Sequence, residues 1–284
     1  MRRRELLLSV AAFAATGARA AEGGPQAIRT FEAESGGHFG LYTENTQDGR
    51  RIAWRADDRF VMCSSFKASL AALILRRVDH RTDNLADSIA FGPDDMQDWY
   101  APVARANLVK GSMSVGDMCA AAVEHSDNTC ASLLLKRVGG PAAVTTFWRS
   151  LGDDVSRLDD PEPILNRTPP GGVRDTTTPR AMAATFAKLT LGGVLSPASR
   201  DTLNGWLIAN TTGDDRLRAG LPGAWVKGDK TGNNGGDAAI DLAVAWAPHA
   251  SIVIAAFTRG GSPTAAQFRE VFWAVGELAA SKLA

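Results

Sequence analysis

Residues that bind metals are scarce in this chain. Its 284 residues include three cysteines and four histidines. None of them forms an HxH, HxxxH or CxxC pattern, the spacings at which short segments hold zinc. Three cysteines also cannot all pair within one chain, and they do not form a disulfide framework. The sequence therefore predicts no metal site.

The chain also lacks a net charge, because 31 Lys and Arg balance 31 Asp and Glu. Four of the basic groups and one acidic group lie in the first twenty residues, which leaves 27 basic and 30 acidic groups in the remainder. A protein that binds the phosphate groups of nucleic acids or lipids needs a cationic surface. The composition therefore argues against nucleic acid or an anionic membrane as a partner.

No apolar run reaches the ~20 residues that a membrane-spanning helix needs. The run Leu6 to Ala15 follows a basic start and precedes Ala18-Arg19-Ala20, a pattern suited to a signal peptidase. We therefore expect residues 1–20 to be a signal peptide cleaved near Ala20, and the protein to be exported to the periplasm or secreted. Arg3 and Arg4 resemble the twin-arginine export signal, and a general secretory signal is the alternative.

Hydrophobic periodicity indicates how the mature chain is organised. A helix over 25–35 is followed by strand-like runs at His38–Glu44 and Arg51–Arg55, which an Asp-Gly turn connects. Residues 64–210 are mostly helical in pattern, with a proline-rich irregular stretch at 156–179. Strand alternation returns near the end, before a final helical stripe. The pattern predicts an α/β (α+β) fold, in which one sheet built from both ends is covered by helices and a helical lobe is inserted.

Ser64 and Lys67 form an S-x-x-K motif. At the start of a helix, residues three apart share a face, so the amine would lie beside the hydroxyl. A lysine whose pKa is lowered by burial can take the serine proton, and the N–H groups of the helix N-terminus suit an oxyanion. Alone the motif is uninformative, because about one S-x-x-K is expected by chance in a chain of this length.

Two further tripeptides change that assessment: Ser126-Asp127-Asn128 and Lys230-Thr231-Gly232. Each is expected in about one chain in twenty at average residue usage, and here they follow the S-x-x-K in order. Ser126 can relay a proton and Asn128 can hold a carbonyl group. Lys230 and Thr231 can face a pocket from a strand edge, where Gly232 allows a close backbone approach. Separately, a helix cap and a charged strand end would explain them.

Together these motifs resemble those of the active-site serine β-lactamases and penicillin-binding proteins. The segment from Arg157 to Asn166, with Arg174 to Pro179 after it, resembles the omega loop of class A β-lactamases. In that family the loop carries a Glu and an Asn that activate water, here Glu162 and Asn166. The resemblance extends in pieces from about residue 25 to the C-terminus. It implies an antiparallel sheet, hydrolysis of the β-lactam ring through a serine acyl-enzyme, resistance to these antibiotics, and no cofactor.

The resemblance also assigns a role to each motif residue. Ser64 would be the nucleophile, with its own N–H and that of Asn233 as the oxyanion hole. Ser126 would protonate the leaving nitrogen, and Glu162 with Asn166 would activate the deacylating water. Whether Lys67 or Glu162 accepts the serine proton stays open. Substrate binding would involve Asn128 for the side-chain amide, Lys230, Thr231 and Gly232 at the carboxylate, Arg216 as a further carboxylate partner, and Tyr100 as an aromatic gate.

Several positions depart from the family pattern. Ser132 stands where an Asn usually supports the loop glutamate, and Pro161 replaces a Trp. Asp160 replaces the Arg that usually pairs with Asp175, so we expect two carboxylates at the loop neck, closed by a rearranged Arg–Asp pair and looser than in relatives. The cysteine positions with which Cys63 and Cys119 pair in some members hold Asn234 and Ala71. All three thiols are therefore expected to be free.

The alternatives within the superfamily are a D-alanyl-D-alanine carboxypeptidase, which Glu162 and Asn166 disfavour, and a β-lactam sensor that acylates without turnover. We expect a monomer without stable membrane insertion. The α/β lobe should comprise residues 21–62 and 209–284, and the helical lobe 63–208.

Overall fold

A computed structural model describes residues 25–169 and 171–284, and the expected signal peptide lies outside these ranges. The strands are β1 (His38–Asn45), β2 (Arg51–Trp54), β3 (Phe60–Val61), β4 (Ser88–Ala90), β5 (Ser112–Ser114), β6 (Thr176–Thr177), β7 (Val226–Asn233), β8 (Ala239–Ala247) and β9 (Ala250–Arg259). The helices are α1 (Gln26–Ser35), α2 (Phe66–Asp79), α3 (Pro102–Ala106), α4 (Val115–Glu124), α5 (Asn128–Val138), α6 (Pro141–Ser150), α7 (Pro179–Thr190), α8 (Pro197–Ile208), α9 (Leu217–Gly220) and α10 (Ala265–Leu283).

Both ends of the chain contribute to one five-stranded sheet with the order β2-β1-β9-β8-β7. All four pairings are antiparallel, and β1 meets β9 over its full length, from His38 opposite Arg259 to Asn45 opposite Ile252. This arrangement confirms the predicted fold class. The motif strand β7 lies at an edge of the sheet, where its outer side can face a ligand.

Two apolar clusters hold the sheet between layers of helices. On one side α1 and α10 pack on it, with Phe31, Phe39 and Phe272 in the cluster. The other cluster extends from Phe60 and Phe257 through α2, whose first half is buried, to Trp148. Helices on both sides explain why β8 buries residues of both orientations over Ala239–Ala245.

The stretch 156–179 has little regular structure, as its prolines predict. It contains a 3₁₀ turn at Ile164–Asn166 and the strand β6, which pairs with β3. The pairing ties the end of this loop to the segment just before Ser64, because Val61 is opposite Thr176. In the ranges 25–169 and 171–284, no helix combines the length and the hydropathy that crossing a bilayer requires.

Candidate active site

Ser64 lies in a 3₁₀ turn, Cys63–Ser65, immediately before α2. Cys63 has a φ of 44°, in the left-handed region that residues with side chains seldom adopt. Ser126 (φ 57°) and Tyr100 (φ 50°) share this conformation at the same pocket. Backbone strain of this kind persists only where the surrounding structure holds it, and it is frequent at functional sites.

Gly232 lets the edge strand approach the turn that carries Ser64. A β-carbon built on Gly232 would lie 2.9 Å from the carbonyl oxygen of Met62 and 3.0 Å from the backbone nitrogen of Ser64. Any side chain there would press on this turn. The glycine therefore brings the end of β7, including Asn233, next to the backbone of Ser64.

Lys67 lies on the first turn of α2 and is completely buried. Its ammonium group donates hydrogen bonds to the carbonyl oxygen of Ser126 (2.8 Å) and to the side-chain oxygen of Asn128. It lies 3.8 Å from Oε1 of Glu162. Burial lowers the pKa of Lys67, while the carboxylates of Glu162 and Asp127 oppose that shift.

Glu162 and Asn166 lie in the irregular loop and are both nearly buried. Asn166 Nδ2 donates to Glu162 Oε2 at 2.6 Å, and Ser64 Oγ lies 3.5 Å from Glu162 Oε1. Asn166 lines the pocket, and its side-chain oxygen has no hydrogen-bond partner among the described residues. Ser132 makes no hydrogen bond with this carboxylate in the described part of the chain.

Lys230 is the second buried amine of the site. Its ammonium group donates to Ser126 Oγ (3.1 Å) and to the carbonyl oxygen of Thr231 (2.8 Å). Burial, and then the nearby charge of Lys67, hold the pKa of Lys230 well below its usual range. Because Ser126 Oγ accepts this bond, its own proton can be donated elsewhere.

These groups surround a cavity of about 410 Å³. Its lining comprises Ser64, Trp99, Tyr100, Ser126, Asn128, Glu162, Asn166, Thr211, Thr212, Arg216, Thr231, Gly232 and Asn233. Segments far apart in sequence thus bring together all the predicted site residues, with Lys67 and Lys230 buried behind the pocket wall. Arg216 donates from Nη1 to the carbonyl oxygens of Gly232 (3.1 Å) and Ile240 (2.6 Å).

Two residues that shape the site, Asp127 and Thr212, were not among the predicted site residues. Asp127 caps α5 by accepting from Cys130 N–H, and its other oxygen accepts the N–H groups of Val103 and Ala104 at the start of α3. Thr212 lines the pocket, and its hydroxyl lies 2.5 Å from that of Thr231. An aspartate directly after a turn is a sequence signal for the cap. The sequence around Thr212 contains no comparable signal for its position in the pocket.

The cysteines follow the expectation from sequence. Cys63, Cys119 and Cys130 are free and buried, and burial raises the pKa of each thiol. Although Cys63 directly precedes Ser64, its thiol therefore remains protonated and packs as a small apolar group.

Comparison with known proteins agrees with this geometry. The sequence model of the beta-lactamase enzyme family matches residues 25–281. The carbapenem-hydrolyzing beta-lactamase KPC of Klebsiella oxytoca is 44% identical over 230 residues, 80% of this chain and 78% of that protein. Beta-lactamase CTX-M-25 of Escherichia coli is 40% identical over 254 residues, 89% of this chain and 87% of that protein.

The fold is also similar to solved structures. The class A beta-lactamase of the last common ancestor of Gram-negative bacteria superposes with a TM-score of 0.83 at 50% identity, over 87% of this chain and 96% of that one. The family match, the identities and the shared fold therefore agree with the motifs: this chain belongs to the beta-lactamase enzyme family, as a class A β-lactamase.

Proposed function

We propose that this pocket opens β-lactam rings through an acyl-enzyme on Ser64. The observation that carries the proposal is the convergence of a carboxylate and two buried amines on a pair of serines: Glu162 lies next to both Ser64 and Lys67, and Lys230 donates to Ser126. Ser64 Oγ attacks the lactam carbonyl carbon and loses its proton to Lys67 or Glu162. The carbon–nitrogen bond then breaks, and Ser126 supplies the proton that the leaving nitrogen needs. The proton that left Ser64 passes from Lys67 or Glu162 to Ser126, so Glu162 is ionised again before deacylation. Lys230 restrains the Ser126 hydroxyl for this transfer.

Deacylation in this proposal depends on Glu162 and Asn166. Glu162 takes a proton from a water molecule, whose oxygen attacks the acyl carbon. The bond from that carbon to Ser64 Oγ then breaks, and the serine oxygen takes the proton from Glu162, which restores the free enzyme. The unpartnered side-chain oxygen of Asn166 supports this role, since it can accept a hydrogen bond from that water. The N–H groups of Ser64 and Asn233 would stabilise the oxyanion in both steps, and the contact at Gly232 supports their proximity.

Substrate binding would use the opposite walls of the pocket. Asn128 and Tyr100 would contact the acyl-amide side chain, from the side of α5. Lys230, Thr231, Gly232 and Arg216 would hold the carboxylate that β-lactams carry next to the ring nitrogen. Cationic side chains at one end of a pocket favour an anionic group there. We expect neither a metal ion nor an organic cofactor to take part.

The cellular setting belongs to the same proposal. The protein would be exported through its N-terminal signal, released near Ala20, and would act in the periplasm or outside the cell as a monomer. Its lobes would divide at residues 62/63 and 208/209, so that Ser64 and β7 meet at their boundary. The position of the pocket between α2, α5 and the sheet edge supports that division.

Turnover of nitrocefin tests the proposal. The protein should give sustained colour, whereas Ser64→Ala should give no hydrolysis and no covalent adduct in intact mass spectra after mixing with a penicillin. Ser281→Ala, at an exposed site on α10, is the matched control and should behave as the parent protein. Normal turnover by Ser64→Ala would contradict the assignment of the nucleophile. A single stoichiometric adduct without turnover in the parent protein would instead indicate a sensor.

A further inference from the structure

Asn210, Thr212 and Thr231 form a chain of hydrogen bonds at the wall of the pocket where the substrate carboxylate would bind. Asn210 Oδ1 accepts the backbone N–H of Thr212 at 3.1 Å and the Thr212 hydroxyl at 2.8 Å. The Thr212 hydroxyl oxygen lies 2.5 Å from that of Thr231. In the described part of the chain, the Thr231 hydroxyl has no other hydrogen-bond partner. Both threonines line the cavity, whereas Asn210 is buried.

The Asn210 amide sets the direction of this chain. Its side-chain oxygen can only accept, and the backbone N–H of Thr212 fixes which end of the amide faces Thr212. Because a hydroxyl has a single proton, the Thr212 proton points to Asn210. The two threonine oxygens are so close that a proton must lie between them, and this proton can come only from Thr231. In the free pocket, Thr231 therefore donates to Thr212 and has no proton to offer a ligand.

The backbones that carry the two threonines are held in place. A β-carbon built on Gly213 would lie 1.6 Å from Oδ2 of the buried Asp229, so the glycine allows the backbone after Thr212 to pack against this carboxylate. The backbone N–H of Arg216 donates to the carbonyl oxygen of Gly213 at 3.0 Å. Thr231 is fixed within β7 and buried. Rotation of the hydroxyl protons is therefore the smallest rearrangement open to the chain.

We propose that Thr212 is a positioning residue that competes with the substrate carboxylate for the Thr231 proton. This inference rests on the proposed function, in which Thr231 helps to hold that carboxylate. An ionised carboxylate accepts hydrogen bonds and donates none. It can bind the Thr231 hydroxyl only when Thr231 turns its proton away from Thr212. The Thr212 proton must then turn to Thr231, so binding of the carboxylate loses the hydrogen bond from Thr212 to Asn210.

Thr212→Ala removes the competing acceptor and tests the proposal. The Thr231 proton is then free to bind the carboxylate. KM for benzylpenicillin should fall about 2- to 10-fold, the range for one neutral hydrogen bond, with a smaller change in kcat. Thr212→Ser keeps the hydroxyl and should have the parental KM. Thr30→Ala, at an exposed site on α1, is the matched control and should also behave as the parent protein.

A second background separates an effect through Thr231 from a change in the shape of the pocket. In Thr231→Ala the hydroxyl chain is already broken, so the addition of Thr212→Ala should leave KM unchanged. Equal KM changes in the two backgrounds would overturn the proposal. An unchanged or raised KM in Thr212→Ala alone would overturn it as well.

Neutron diffraction from crystals of the perdeuterated protein adds a readout that does not depend on turnover. In the free pocket, one deuteron should lie between the two threonine oxygens, bonded to Thr231, and a second between Thr212 Oγ1 and Asn210 Oδ1. A Thr231 deuteron that points into the pocket would overturn the proposal. Absence of benzylpenicillin hydrolysis by the parent protein would instead overturn the proposed function, and the deuteron positions would still decide the direction of the hydroxyl chain.

Discussion

The backbone N–H of Asp160 donates a hydrogen bond to Oδ1 of Asp175 at 3.0 Å. The N–H of Asp159 donates to the same oxygen at 2.7 Å, and the N–H of Asp175 donates back to Asp159 Oδ2 at 3.1 Å. The loop neck is therefore closed by carboxylates that accept backbone N–H groups. The Asp160 carboxylate turns outward to an ion pair with Arg174, and Asp159 pairs with Arg157. The neck therefore has the rearranged Arg–Asp pairs that the sequence predicted, and in addition hydrogen bonds from backbone N–H groups to the carboxylates of Asp159 and Asp175.

This arrangement predicts that Asp175 contributes more to stability than the Arg174–Asp160 pair. Asp175→Ala leaves two backbone N–H groups without their acceptor, and each unsatisfied buried group costs about 1–3 kcal/mol. Arg174→Ala removes only an exposed ion pair, so the free energy of unfolding should hardly change. Urea unfolding of the two variants measures the difference. An equal loss of unfolding free energy in the two variants would mean that the Arg174–Asp160 ion pair closes the neck.

The same residue predicts a pH dependence of stability. Burial, together with the adjacent Asp160 carboxyl, raises the pKa of Asp175 to about 6. A raised pKa means that the folded protein binds a proton more tightly than the unfolded chain. The stabilisation that comes from proton binding at Asp175 is therefore present at low pH and is lost as the pH rises from about 4 to about 6. The positive charges of Arg157 and Arg174 lie near Asp175 and favour its ionised form.

Asp175→Asn tests this pH dependence. The amide oxygen can still accept both N–H groups, and no carboxyl remains to titrate. Relative to the parent protein, the variant should gain thermal stability as the pH rises from 4 to 7. The difference in Tm, recorded at half-unit pH steps, should level off above pH 7. A Tm difference that is flat across this range would show that Asp175 titrates normally.

The sequence predicted the helices, the strands and the residues that share the site much better than it predicted the hydrogen bonds between those residues. S-x-x-K placed Ser64 and Lys67 at the start of a helix, and the structure has the serine in the 3₁₀ turn just before it. Local spacing could not show that the Lys67 ammonium turns to Ser126, Asn128 and Glu162, since those contacts depend on how α2 packs against α5 and the loop.

The loop neck shows the same limit. Two aspartates at matching positions suggested a looser neck, because a residue pattern gives charges but no side-chain rotamers. In the structure the backbone N–H groups at Asp159 and Asp160 stabilise the Asp175 carboxylate.

Glu162→Gln should separate acylation from deacylation. Gln can still accept the hydrogen bond from Asn166, but it cannot take a proton from water. Loss of a general base costs typically about 10²- to 10⁴-fold in rate, so kcat should fall by that order and a penicilloyl adduct on Ser64 should persist in intact mass spectra. Glu277→Gln, at an exposed position on α10, is the control and should show neither effect. Turnover of Glu162→Gln at the parental rate would exclude Glu162 as the deacylation base.

Arg216 and Arg218 should respond differently to the same substitution. Arg216 lines the pocket, and among the described residues only its Nη1 has protein acceptors, the carbonyl oxygens of Gly232 and Ile240. The remaining N–H groups can bind the substrate carboxylate. Loss of a hydrogen bond to a charged group costs about 1.5–3 kcal/mol, so Arg216→Ala should raise KM for penicillins by about tenfold or more with a smaller change in kcat.

Arg218 instead binds the buried Asp229 and the carbonyl oxygens of Leu207 and Ile208 at the end of α8. Arg218→Ala would leave that carboxylate without its cation, and breaking a buried pair costs about 3–5 kcal/mol. This variant should lose thermal stability while the KM of the protein that remains folded stays near the parental value. Steady-state kinetics and thermal unfolding of both variants distinguish the binding role of Arg216 from the structural role of Arg218. A KM increase in Arg218→Ala with parental KM in Arg216→Ala would transfer the carboxylate contact to Arg218.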